Sequence, residues 1–216
     1  MANLMEFMMH KSLLITCGLQ CSGKSTLTGK LRSNLGIDLV CSDDVRVKLL
    51  GNPKVLHANP LERYLVYYHT LETAKGILDN GESVIVDGTF SKRLFRQSSY
   101  FLASEADASI YIIQCICNNY GLVRERYDYR CEQKKKKTHL FDEWAAIETF
   151  HRSFQDFEQL DREAMPDGRP VPIIRYDSEK DQAEIVYSDG SETIETILEA
   201  VNCVAEEGHY LKAVGQ

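Results

Sequence analysis

The chain has 216 residues, 44% of them hydrophobic, and a formal net charge of -7. That length buries one sizeable core with a small appendage and leaves no room for two large domains, so a single domain over residues 1–216 is expected. The longest apolar stretches, "SLLITCGL" and "SIYIIQCIC", are too short to cross a bilayer, and "MANLMEFMMHK" lacks a charged start followed by a long apolar run and cleavage site; a soluble cytoplasmic protein with no membrane partner is expected.

Leu13 to Cys17 is a short apolar run, and the segment after it, "GKSTLTGKLRSNL", places leucines at 27, 31 and 35 on one helix face. This is strand, glycine-framed loop, helix. "GIDLVC" is a second strand, and "SDDVRVKLLG" is a helix capped by Ser42 or Asp43 and closed by Gly51. "NPKVLHANP" is a loop; residues 61 to 80 have helical spacing and stop at Gly81, before the strand "SVIVDGT". The helix "SKRLFRQSSYFLASEA" and the strand "ASIYIIQCIC" follow, with Asn118 or Asn119 as cap for the helix "YGLVRERYDYR". "CEQKKKKTH" reads as a basic loop, with Lys134 to Lys137 a solvated run, and a long amphipathic helix is predicted from about Phe141 to Arg162. After "MPDGRPVP" comes the strand "IIRYD", then a tail with a strand, an Asp-Gly turn and a closing helix. Five near-continuous apolar strands separated by helices predict an α/β fold, a mostly parallel sheet covered on both faces, with a lid at about 120–140 and an acidic extension at about 177–210.

From Asp177 to Glu207 there are ten acids against one base, Lys180, so the rest of the chain is close to neutral. Such a tail argues against broad nucleic-acid binding, although a local basic groove is compatible with it. The seven cysteines, at 17, 21, 41, 115, 117, 131 and 203, form no C-x-x-C pair and no regular spacing; reduced, mostly buried thiols and no structural metal are expected.

Gly18, Gly23, Lys24 and Ser25 fit G-x-x-x-x-G-K-S, in which glycines let successive backbone N–H groups wrap a phosphate chain at a helix N-terminus. The nucleotide-binding candidates are therefore Gly18, Leu19, Gln20, Cys21, Ser22, Gly23, Lys24, Ser25 and Thr26, with Lys24 on the outer phosphates of ATP and Ser25 on Mg2+. Asp43, just past the second strand, lies on the ligand side of the sheet, where a carboxylate can accept the proton of an attacking hydroxyl; capping the helix is its other reading, as it is for Asp44. Arg46 shares its helix face. Asp87, at the end of "VIVD", is a candidate for magnesium through a water, and Thr89 for either a substrate or a turn contact. Arg124, Arg126 and Arg130 lie on the helix entering the lid, and the last two, four residues apart, are placed to close over phosphates. His57, His69, His139 and His151 show no metal spacing, and Tyr64, Tyr67, Tyr68 and Trp144 read as helix-packing residues.

"GLQCSGKST", "CSDDVR", "VIVDGTF" and "RERYDYR", in this order, resemble the small P-loop kinases of the AAA_33 and zeta-toxin group, which share features with polynucleotide 5'-hydroxyl kinases. The resemblance implies a P-loop NTPase fold, Asp43 as general base, Arg46 as a contact to phosphate or acceptor, and Arg126 and Arg130 as lid arginines. Here Gly88 stands where the polynucleotide enzymes tend to carry an aspartate before the threonine, so "DGT" is closer to small-molecule kinases. The expected function is transfer of the ATP γ-phosphate to a hydroxyl of an unidentified small acceptor. A polynucleotide 5'-hydroxyl kinase is the second reading, and an ATPase or nucleotide-dependent switch that binds a protein partner is the third.

Overall fold

The structure is a computed structural model and describes residues 10–51, 60–137, 151, 154–160 and 162–203, with residues 134–137 as backbone. Its strands are β1 (Ser12–Cys17), β2 (Asp38–Cys41), β3 (Val84–Asp87), β4 (Ser109–Ile116), β5 (Ile173–Asp177) and β6 (Gln182–Tyr187). They form one six-stranded sheet in the order β2-β3-β1-β4-β5-β6. The first five are parallel, and β6 returns antiparallel along β5. The sheet therefore has one strand more than the five expected, supplied by the tail strand.

Alternation along each parallel strand builds two cores. Leu13, Ile15, Val84, Val86, Ile110 and Ile112 face one way, against α3 (Pro60–Asp79) and α4 (Arg93–Glu105). Leu14, Ile85, Tyr111, Ile113 and Ile174 face the other way, against α1 (Lys24–Leu35) and α6 (Glu192–Asn202). With both faces covered, these strands have no polar side to show, which is why they read as continuous apolar runs. The acidic tail is part of this framework: α6 buries Ile194, Ile197 and Val201 in the second core, and Ala183 of β6 exchanges hydrogen bonds with the Asn202 side chain.

The remaining helices are α2 (Ser42–Leu50) and α5 (Tyr120–Lys137). α2 begins directly after the extended Cys41, so Ser42 and Asp43 stand in its first turn and neither is the cap; Gly51 closes it in the left-handed conformation as expected. Asn119 caps α5, its Oδ1 accepting from the Leu122 N–H at 3.1 Å. α5 then runs through Lys137, so the expected basic loop is helical in its lysine run; lysine is a strong helix former, and no Gly or Pro interrupts it.

The helix expected from Phe141 to Arg162 falls largely outside the described residues; His151, Phe154 and Gln155 are helical, and the backbone is no longer helical from Asp156 onward. There the chain is captured by α4. The Glu158 N–H donates to the Ser91 carbonyl at 2.8 Å, and the Glu158 and Gln159 carbonyls accept from the Arg96 guanidinium. Those backbone groups are spent on tertiary partners, so the helical pattern in the sequence is overridden.

Candidate active site

Parallel strands carry their C-terminal ends to one edge, and register decides who meets there. Thr16 of β1 and Cys41 of β2 both stand opposite Asp87 of β3. The loop after β1, the start of α2 and the end of β3 therefore converge on that carboxylate.

The loop after β1 needs its glycines for space. A Cβ on Gly18 would lie 2.3 Å from the Cys115 carbonyl oxygen, and one on Gly23, which sits at φ 98°, would lie 2.6 Å from the Ser178 Cβ. The Gly18 N–H donates to the Thr89 carbonyl at 3.1 Å, which ties the loop to the turn after β3. Cys21 occupies the left-handed region at φ 61°, a conformation that costs a non-glycine residue about 1–3 kcal/mol and persists where surroundings enforce it. Its carbonyl accepts from Arg126 Nη1 at 3.2 Å, and the same guanidinium donates to the Ser178 hydroxyl at 2.9 Å. Arg126 is thus a clamp between α5, the loop and the β5–β6 turn.

Lys24 Nζ donates to the carbonyls of Gly18 and Leu19 at 2.9 and 2.6 Å, so its ammonium lies inside the curve of the loop. Burial lowers its pKa, and the Asp87 charge opposes that shift. Asp87 is buried and accepts from Thr16 Oγ1 at 2.8 Å. Burial raises its pKa; Lys24, the Thr16 hydroxyl and the Arg130 charge pull it down, and the Asp43 charge pushes it up. Two carboxylates, the loop lysine and a helix α5 arginine thus share one field.

Asp43 and Asp44 are exposed in the first turn of α2, and Arg46 is half-buried. Arg46 Nη1 is buried without a hydrogen-bond partner among the described residues, a guanidinium with donors to spare beside the candidate base. Ser25 and Thr26 are exposed in the first turn of α1, next to Lys24. Arg130 is exposed, and its charge acts on Cys21, Lys24 and Asp87, so it faces the loop as Arg126 does. Arg124 instead pairs with Asp128 along the surface of α5 at 2.9 Å. Thr89 turns its hydroxyl to the Tyr67 hydroxyl at 3.1 Å.

Tyr67 is buried and packs as expected, stacked on Phe95 at 4.2 Å between ring centroids. Tyr64 touches Phe95 while half its surface stays exposed, and Tyr68 is 59% exposed, so packing is not the role of Tyr68. His57, His139 and Trp144 lie outside the described residues, and His69 meets Tyr68 edge-on. All seven cysteines are free; Cys17, Cys21 and Cys115 are buried, Cys41, Cys117 and Cys131 are half-buried and Cys203 is exposed, so burial is less general than expected.

Thr16, Ser178 and Arg96 belong to the site and were not singled out in the sequence. Thr16 could have been: a hydroxyl in an otherwise apolar central strand must find a buried partner. Nothing local marks Ser178. Arg96, fully buried, donates to the Phe90 carbonyl at 3.0 Å and binds Glu163 at 2.8 Å, so it holds the turn that carries Thr89.

A parallel sheet ordered 2-3-1-4-5, with a G-x-x-x-x-G-K-S loop between its first strand and first helix, defines a P-loop NTPase fold. Among solved structures the fold resembles that of a candidate kinase from Chloroflexus aurantiacus, with a TM-score of 0.60 and 18% identity over 86% of this chain and 95% of that one. It also resembles the Mycobacterium tuberculosis APS kinase CysC in complex with AMPPNP and APS, with a TM-score of 0.52 and 16% identity over 90% of this chain and 99% of that one. Residues 13–156 match the AAA_33 model, an AAA domain, and the chain belongs to that family. It is 32% identical over 103 residues, 44% of its length, to the uncharacterized protein Rv2004c of Mycobacterium tuberculosis, and spans 21% of that relative. No helix among the described residues is long and apolar enough to cross a membrane.

Proposed function

We propose that the protein is a kinase that transfers the γ-phosphate of ATP to a hydroxyl of a small-molecule acceptor. The observation that carries this reading is the pairing of a phosphate loop with an exposed carboxylate, Asp43, that shares the electrostatic field of Lys24, Asp87 and Arg130. A switch or simple ATPase needs a held water; a kinase needs a base for an acceptor and cations to close over the transferred group. The resemblance to kinases in fold supports the same reading.

In this reading the backbone N–H groups of residues 18–26 cradle the phosphates, and Lys24 leaves its carbonyl partners for the outer phosphate oxygens. Asp43 accepts the acceptor's hydroxyl proton as its oxygen attacks. Arg46, with its unpartnered Nη1, and Arg130 bind the phosphoryl oxygens as charge builds. Oxygen donors suit magnesium: the exposed Ser25 hydroxyl and the Asp87 carboxylate, one oxygen of which already accepts from Thr16, are the residues that would hold it. A magnesium ion held by these residues would supply charge neutralisation to the phosphate oxygens. ATP consumption measured with and without sugars, nucleosides, amino alcohols and 5'-hydroxyl oligonucleotides tests this. Acceptor-dependent consumption is expected, and hydrolysis indifferent to every acceptor would contradict it.

A further inference from the structure

The turn after β3 is overhung by α3, and the first turn of that helix carries two charged side chains, Glu62 and Arg63. Since β2 and β3 are parallel and α3 leads into β3, the helix runs against the strands and begins at the edge where they end. The Tyr67 hydroxyl fixes it there, accepting from the Phe90 N–H at 2.9 Å and standing 3.1 Å from Thr89 Oγ1. With the Tyr67 proton on Thr89, the Thr89 hydroxyl keeps its own proton for a ligand.

Arg63 lies one turn before Tyr67 on the same face of α3, so it stands nearer the edge, over the turn that begins at Asp87. Its charge reaches the Tyr67 hydroxyl. Arg63 is half-buried, and among the described residues no carboxylate pairs with it. A guanidinium that gives up water without a counter-charge is uncommon, and its planar fork fits a carboxylate or a phosphate. Glu62 occupies the flank of α3 toward α2: Tyr64, two residues on and so on the opposite flank, meets Phe95 of α4. α2, which carries Asp43, packs on α3, and Val45, Tyr67 and Leu71 share one core. Glu62 Oε2 is buried without a hydrogen-bond partner, so this seam holds an acceptor for which the protein supplies no donor. The first turn of α2 with Asp43, the turn after β3 with Thr89 and the first turn of α3 thus meet at one edge.

We propose that the first turn of α3 recognises the acceptor and that the acceptor is a small hydroxylated anion, with Arg63 on its carboxylate or phosphate and Glu62 accepting from one of its hydroxyls. This rests on the kinase reading and names its substrate class. Arg46 and Arg130 stay with the transferred phosphoryl group, so each anion has its own cation. The acceptor's reacting hydroxyl oxygen forms a bond to the γ-phosphorus, the bond from that phosphorus to the β–γ bridging oxygen breaks, its electron pair leaves with ADP, and the hydroxyl proton passes to the Asp43 carboxylate.

The test uses the full chain with magnesium and nucleotide. Gluconate and glucose 6-phosphate are compared with glucose, myo-inositol and a 5'-hydroxyl oligonucleotide, by calorimetric binding in the presence of AMPPNP and by ATP consumption. One of the two small anions is expected to bind and stimulate consumption, with neutral glucose about tenfold weaker or worse. Arg63→Gln is expected to raise KM for that anion on the order of 10-fold to 100-fold, the loss of one charge-assisted contact, with Arg63→Lys in between and KM for ATP within about twofold. Glu62→Leu is expected to raise the same KM, whereas a carboxylate that merely repelled the anion would lower it on removal, which would overturn the role given to Glu62. A neutral compound as the better acceptor, the oligonucleotide as the sole acceptor, or an Arg63→Gln variant that changes KM for ATP in place of the anion overturns the proposal and leaves the kinase reading standing. Anion binding that Arg63→Gln abolishes, with no compound stimulating consumption, keeps the site and overturns the kinase reading. Neither binding nor stimulation by any compound, with AMPPNP still bound, overturns both.

Discussion

Two residues at the edge of the sheet adopt strained backbone, and each is held by an arginine at its carbonyl: Cys21 by Arg126 and Phe90, at φ 41°, by Arg96. The site is therefore shaped by side chains whose targets are backbone atoms, a role that composition and spacing do not advertise. The charged residues were easier to read, because a lysine after a glycine loop and a carboxylate at a strand end have few other uses. Lys24→Ala should lower phosphate transfer on the order of 100-fold or more, the scale of losing one oriented donor to developing charge, with the circular-dichroism spectrum unchanged. Asp43→Asn should keep nucleotide binding and lose about 100-fold to 10,000-fold in transfer rate. Because Asp43 is exposed in the first turn and does not cap α2, little stability should go with it.

Asp87 makes a separate prediction, from its burial. Burial, the largest influence, raises its pKa above the ordinary carboxylate value. The folded protein then binds this proton more readily than the unfolded chain does, so Asp87 contributes a loss of stability as pH rises from the ordinary carboxylate value through its folded value. Asp87→Asn keeps an acceptor for Thr16 and removes that loss. Its melting temperature at neutral pH should equal or exceed that of the parent, with a flatter dependence on pH across the acid range, while magnesium-dependent transfer falls.

At the scale of elements, the strands and most helices were legible, because a parallel sheet buried on both faces writes itself as apolar runs such as "SLLITC" and "SVIVD". Legibility failed where distant groups take over the backbone. The amphipathic pattern ending at Arg162 gives no hint that Arg96 and Ser91 will claim the backbone of Glu158 and Gln159, and the lysine run reads as a loop only if charge is weighed above helix propensity. α5 also separates two arginines that their spacing made look equivalent. Arg126 is already bonded to Cys21 and Ser178, whereas the exposed Arg130 has only electrostatic reach toward the loop. Arg126→Ala should therefore weaken nucleotide binding by loosening the loop, and Arg130→Ala should lower kcat with little change in KM for ATP, as expected of a contact made mainly in the transition state. Steady-state kinetics on the two variants separates these outcomes.

Across the whole molecule, the segment returning from α5 is joined to α4 by a buried cluster in which Glu163 binds Arg96 and accepts from the Tyr100 hydroxyl at 3.0 Å. Removing one partner of a buried pair typically costs about 3–5 kcal/mol, since the other charge is stranded. Arg96→Met should cost that much in denaturant unfolding, and Arg96→Met with Glu163→Gln should cost less than the sum of the single changes. The acidic tail, which on charge alone could have served as a partner-binding arm, instead contributes β6 and α6 to the sheet and its second core. Its surface charge rides on an element that the fold needs, so nothing in its placement calls for a switch that works through that segment.

The central claim is transfer to a hydroxyl rather than to water. It is tested most directly by following the γ-phosphate of labelled ATP into acceptor and into free phosphate, for the parent protein and for Asp43→Asn at saturating nucleotide. We predict that label appears in a hydroxyl acceptor with the parent protein, that free phosphate stays minor, and that Asp43→Asn binds nucleotide but labels nothing. Label released only as free phosphate, at the same rate in Asp43→Asn and with every acceptor, would contradict the account.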